Sequence, residues 1–209
     1  MQKPLLAAAL AIALAAPASA ATVDLPFIGQ GINGTVHLTY GPATDATYPN
    51  AEIVTAISGT VSDANIGILN APILGLVPVN FATPEPTNLL APHDFSRFPV
   101  AAGLPADNHG SLSYDNLYWP GGAPPTASDY PFGGGVLDIY GLAFSIGGGK
   151  IVNLWSDGDT GAGPDYGIAV ATADLSLDYA FQGISVPEPA SAALLGAALL
   201  ALGAARRRA

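Results

Sequence analysis

The chain has 209 residues, 50% of them hydrophobic, no cysteine and a formal charge of −10 at neutral pH. Without a thiol, cysteine catalysis and thiolate metal sites are excluded. Residues 21–186 hold two basic side chains, Arg97 and Lys150, against fifteen acidic ones, and that net of −13 repels phosphate backbones and argues against a nucleic-acid partner.

The first element is a leader. MQKPLLAAALAIALAAPASA opens with Lys3, runs apolar from Leu5 to Ala16, breaks at Pro17 and ends in Ala18-Ser19-Ala20. Small residues at Ala18 and Ala20 suit signal peptidase, so residues 1–20 are expected to form a signal helix that is cut before Ala21. An uncleaved anchor is the alternative, but twelve apolar residues are short for a membrane span.

Residues 21–185 follow as one domain. No long stretch there has helical period; short apolar runs alternate with Gly, Pro, Asn and Asp, the pattern of antiparallel sheet. Asn33-Gly34, between VDLPFIGQGI and TVHLTY, predicts a hairpin turn. In TVHLTY the faces divide into Val36, Leu38 and Tyr40 against Thr35, His37 and Thr39, which turns His37 to water. EIVTAISGTVSD predicts a strand with Ile53, Thr55, Ile57 and Val61 on one face and a bulge at Gly59. Residues 66–109 are rich in proline and weakly patterned, an irregular excursion. SLSYDNLYW predicts a strand again. GVLDIYGLAFSI and IVNLW, joined by GGGK, predict a hairpin that is apolar on both faces and hence central. YGIAVAT and LSLDYAF complete the set, the latter with Leu175, Leu177, Tyr179 and Phe181 inward and Ser176 and Asp178 wet. Seven or eight short strands predict an all-β fold, an antiparallel β-sandwich-like domain.

Four groups of side chains invite a chemical reading. Asp157, Asp159 and Asp165 in SDGDTGAGPD are candidate calcium ligands, although Gly161, Ala162 and Ile168 occupy positions where an EF-hand needs a ligand, a glycine and a glutamate. His93 and His109, near Asp94 and Asp107, are candidate zinc ligands at a spacing that matches no zinc motif. Ser145 in AFSIG lacks the strand-to-helix turn of a nucleophile elbow. Tyr114, Tyr118, Trp119, Tyr130 and Trp155 are either a sugar-binding platform or core packing. No catalytic residue and no cofactor are predicted.

The last element, residues 186–209, reads VPEPASAALLGAALLALGAARRRA. Pro187 and Pro189 flank Glu188 and favour an extended, non-helical neck. Sixteen uncharged residues follow, an apolar helix of roughly 24 Å. Arg206, Arg207 and Arg208 then stop export, since each guanidinium costs about 3 kcal/mol to draw through a bilayer. Neck, apolar helix and arginines in that order resemble the PEP-CTERM sorting signal of exported proteins of Gram-negative bacteria. The resemblance implies recognition by an exosortase, transient anchoring through the helix, then placement at the cell surface or outside the cell, and association with exopolysaccharide and biofilm. Residues 118–158 also resemble a body found in front of such tails, without an assigned activity. The reading is an exported, exosortase-sorted structural protein that is not an enzyme and is processed by signal peptidase and exosortase. A carbohydrate- or calcium-binding adhesin is the alternative.

Overall fold

The computed structural model describes residues 20–79, 114–126, 133–159, 161–172 and 176–187. The predicted signal helix, the apolar tail helix, Glu188, Pro189 and the three terminal arginines lie outside the described residues, as do His93, His109 and Tyr130. Within them the chain is all-β. Nine strands run in order: β1 (Ala21–Gly29), β2 (Ile32–Thr44), β3 (Glu52–Asp63), β4 (Ile68–Leu76), β5 (Leu117–Tyr118), β6 (Leu142–Ile146), β7 (Lys150–Asp159), β8 (Pro164–Ala171) and β9 (Ser176–Ile184).

The neighbours across the sheet are β1-β2-β3-β4-β6-β7-β8-β9, every pair antiparallel, with β5 added on β3. The expected two-layer sandwich is replaced by one curled sheet, a half-barrel. The reason lies in β4. Its first half pairs with β3 through Val61–Ala71, and its second half with β6 through Ile73–Ile146, with a register shift between Ile73 and Gly75. A strand that changes partner half-way joins what would otherwise be two sheets. The curl brings the ends together: Ile28 of β1 and Ser185, just past β9, exchange backbone hydrogen bonds of 3.0 and 2.9 Å.

Local chemistry moved two expected features. The β1–β2 turn is Gln30-Gly31, both at positive φ, with Gly29 opposite Ile32; this is the backbone a two-residue hairpin requires. Asn33-Gly34 instead lies inside β2. Gly34 is needed there because the Phe27 ring, on the residue paired with it, occupies the space a Cβ would take. In β3 the irregularity falls at Thr55 and not at Gly59: Thr39 pairs with Ala56 and Tyr40 with Val54, leaving Thr55 extra. That bulge lets both Val54 and Ile57 face inward.

The main core fills the concave side, with Leu25, Phe27, Val36, Leu38, Val61, Phe144, Leu154 and Ile168 all buried. The convex side of β6–β8 is covered as well. Val77, Tyr114, Ile139 and Tyr140 pack there against Ala143, Trp155 and Ala169. The predicted central hairpin is therefore buried on both faces, as its sequence requires. β9 inverts the expectation. Ala180 pairs with inward-facing Ile168 and packs on the core, whereas Tyr179 and Phe181 take the opposite face and are 56% and 43% exposed.

Candidate functional site

The acidic loop becomes the β7–β8 hairpin, and it sends its three carboxylates to different places. Asp157 is buried and accepts the Trp155 indole N–H at 3.3 Å. Asp159 Oδ1 accepts the N–H groups of Gly161 and Gly163 at 2.7 and 3.0 Å, closing its own turn. Asp165 Oδ1 accepts Tyr166 N–H and reaches across to Gly183 N–H, both at 2.9 Å. Each oxygen named is committed to a separate backbone or indole donor. Among the described residues no three His, Cys, Asp or Glu side chains gather as metal ligands would.

The rings are equally committed. Tyr114, Tyr118, Trp119 and Trp155 are each less than 5% exposed, so these four form packing and not a sugar platform. Around them lies the polar feature that sequence reading missed, a set of buried side chains that fasten the cover segments to the convex side of the sheet. Asn116 donates to Val77 C=O at 2.7 Å and accepts Ala143 N–H at 2.8 Å. Asn153 donates to the carbonyls of Tyr140 and Leu142 at 3.1 and 2.9 Å. Asp138 Oδ1 accepts the N–H groups of Tyr140 and Gly141. Burial raises the Asp138 carboxyl above its ordinary range, opposed by those two amides and by Asp115. Such groups satisfy backbone that a buried loop would otherwise leave unpaired. Their work is architectural.

One row of residues has the composition of hydrolytic chemistry. Asp24, His37 and Ser58 occupy directly paired positions on β1, β2 and β3. His37 Nδ1 and Asp24 Oδ1 are 2.6 Å apart, and both side chains are half or more exposed. His37 does face water as its alternation predicts. The row nevertheless lies on a flat strand face, where backbone N–H groups are turned edgewise into ladders. It offers no convergent donors for an oxyanion.

At the end of β3, buried Asp63 lies beside Asp178 of β9. Asn65 holds the pair, its backbone N–H donating to Asp63 Oδ1 at 3.0 Å and its side chain to Asp178 Oδ2 at 2.9 Å. Burial first, then the Asp178 charge, raises the Asp63 carboxyl above its ordinary 3.8. The folded state therefore binds that proton more tightly than the unfolded chain, and stability falls as pH rises from about 3.8 through the raised value. Asp63→Asn is expected to remove this decline. Relative to wild type, its Tm should gain about 2–4 °C at pH 7 and little at pH 3, read by thermal melts at the two pH values.

The remaining candidate is the C-terminal margin of the sheet. Ile184 and Val186 are buried in the main core, Ser185 is bridged to Ile28, and Pro187 is exposed. The last strand, β9, ends three residues before that proline, which is the second residue of the predicted tail. The family model described as PEP-CTERM protein-sorting motif matches residues 185–208. The chain carries a PEP-CTERM sorting motif. Searches of curated proteins and of solved structures found no match. The PEP-CTERM motif implies processing by an exosortase, with export and transient anchoring through the C-terminal region. Its match spans Pro187, Glu188, Pro189 and the Arg206–Arg208 cluster, the residues singled out from sequence. Among the described residues no helix is long and apolar enough to cross a membrane.

Proposed function

We propose that this chain is a non-enzymatic, exosortase-sorted structural protein of the cell surface or extracellular matrix, associated with exopolysaccharide. Signal peptidase removes residues 1–20, the tail helix stalls in the membrane at its arginines, and exosortase separates the β-domain from that helix. The observation that carries the reading is the match of the sorting motif at residues 185–208, directly after the last strand, β9, which ends at Ile184. Two features support it. The first ladder pair, Ala21–Tyr40, begins at the residue after the predicted cut. Among the described residues the polar groups weighed for catalysis are tied to backbone or stand on a flat open face. The calcium and sugar alternatives lose their sequence supports, since the carboxylates diverge and the four described rings are packed.

The test is mass spectrometry of the protein recovered from its native host. The expected ends are Ala21 at the front and a C-terminus upstream of Arg206, in the surface or medium fraction. An Arg206→Ala, Arg207→Ala, Arg208→Ala variant should lose membrane stalling and tail removal together. Intact chains with Arg208 in the cytosol would refute the sorting scheme.

A further inference from the structure

The bridge between Ile28 and Ser185 fixes a register, and that register gives the prolines a role the sorting motif alone does not assign. In an antiparallel pair, mutually hydrogen-bonded residues recur at every second position. Ile28 and Ser185 form such a pair, each donating to the other. Phe27 then faces Val186, and both side chains are in the core, as one shared face demands. The next bonding position sets Pro26 opposite Pro187. Neither has an N–H, so neither bond of that pair can form.

Pro26 is placed for this effect. The two-residue turn makes Gly29, Phe27 and Leu25 the positions that bond to β2, and Ile28, Pro26 and Asp24 the positions whose amides look toward the seam. A proline in the sheet is tolerated where its N side faces an edge. Here that edge is the one along which the chain leaving Ser185 would otherwise continue as a tenth strand. Steric closeness at the seam is high: Gly29 is glycine because a Cβ there would overlap the Gly183 carbonyl.

Building on the sorting reading above, we infer that Pro26 and Pro187 form a proline stop which ends strand pairing after one bridge and keeps the PEP segment out of the sheet, accessible to the processing enzyme. Residues through Val186 are held by the fold, so the processing cut falls beyond Val186. The device is negative: it withholds donors from an edge that invites pairing.

Pro26→Thr tests this without touching the motif. Pro26 is exposed, so threonine fits without disturbing the core, and an unchanged Tm checks that. Two measurements are made on the full chain: exchange of the amide that the substitution introduces at position 26, in the purified, detergent-solubilised protein, and the rate of tail removal in the native host. The expected results are slowed exchange of that new amide and tail removal slowed about fivefold, the factor given by one net hydrogen bond. Pro26→Thr with Pro187→Thr should protect the amides at both substituted positions. Exchange of the introduced amide as fast as that of the edge amide of Asp24 overturns the inference. So does protection of the introduced amide with wild-type tail removal. If the wild-type protein is never processed, the sorting reading fails, and the exchange measurement still decides the proline stop.

Discussion

Asn116→Ala should lower stability by about 2–5 kcal/mol, because it strips partners from two buried backbone groups at once and an orphaned group costs ~1–3 kcal/mol. The groups are Val77 C=O and Ala143 N–H, the first in the strand exit after β4 and the second in β6. A third penalty comes from the backbone. Asn116 has φ of 57°, a left-handed conformation that Asn adopts more readily than Ala. The loss should be local before it is global. Freed of its clamp, the 114–126 segment exposes the convex side of β6–β8, where Ala143, Trp155 and Ala169 are now covered. Urea denaturation should show a lower midpoint, and dye binding to exposed apolar surface should begin below that midpoint. A stability within ~0.5 kcal/mol of wild type would mean that the cover is held by apolar packing alone.

Trp155→Ala should cost about 3–5 kcal/mol, the range for deleting a large buried ring. Trp155 is 1% exposed on the convex side of β7, and its indole lies over Gly167, its cross-strand partner on β8. Gly167 has no Cβ because the ring takes that space, with the Phe181 carbonyl close behind. The indole N–H also donates to buried Asp157, so truncation removes a donor from that carboxylate. Gly167→Ala provides the converse test. It keeps the ring but pushes it from its seat, and should cost less than Trp155→Ala while shifting the tryptophan emission. If Trp155→Ala melts like wild type, the ring contributes no core and the glycan-platform reading of Trp155 regains its footing.

The two variants act on the same layer and share Ala143 as a neighbour, so their effects should not add. The double variant should lose less than the sum, because once the cover has lifted the ring is partly in water already. The body is thereby described as a sheet with a fastened lid of irregular chain. That lid is fastened by the buried side chains of Asn116, Asp138 and Asn153.

Part of this protein was legible in one dimension. A sorting tail works through composition and order: prolines that forbid helix and ladder, a charge-free run that prefers lipid, arginines that refuse it. No tertiary contact is needed to give those properties, and the matched motif at residues 185–208 agrees with them. Period-two alternation likewise revealed the all-β class, the wet face carrying His37 and the doubly buried β6–β7 hairpin. Strand β4 stayed hidden because Pro72 and Gly75 interrupt its pattern at the place where it changes partner.

What only tertiary structure decided is which side of a strand becomes inside. Alternation gives two faces but not their assignment, and in β9 the pairing of Ala180 with inward-facing Ile168 is what turns Tyr179 and Phe181 outward. The same holds for the carboxylates of Asp157, Asp159 and Asp165. They are neighbours in sequence, yet the twist of one hairpin directs them to three unrelated donors. The bridge of Ile28 with Ser185 belongs here too, since it forms only when the sheet curls its two ends together.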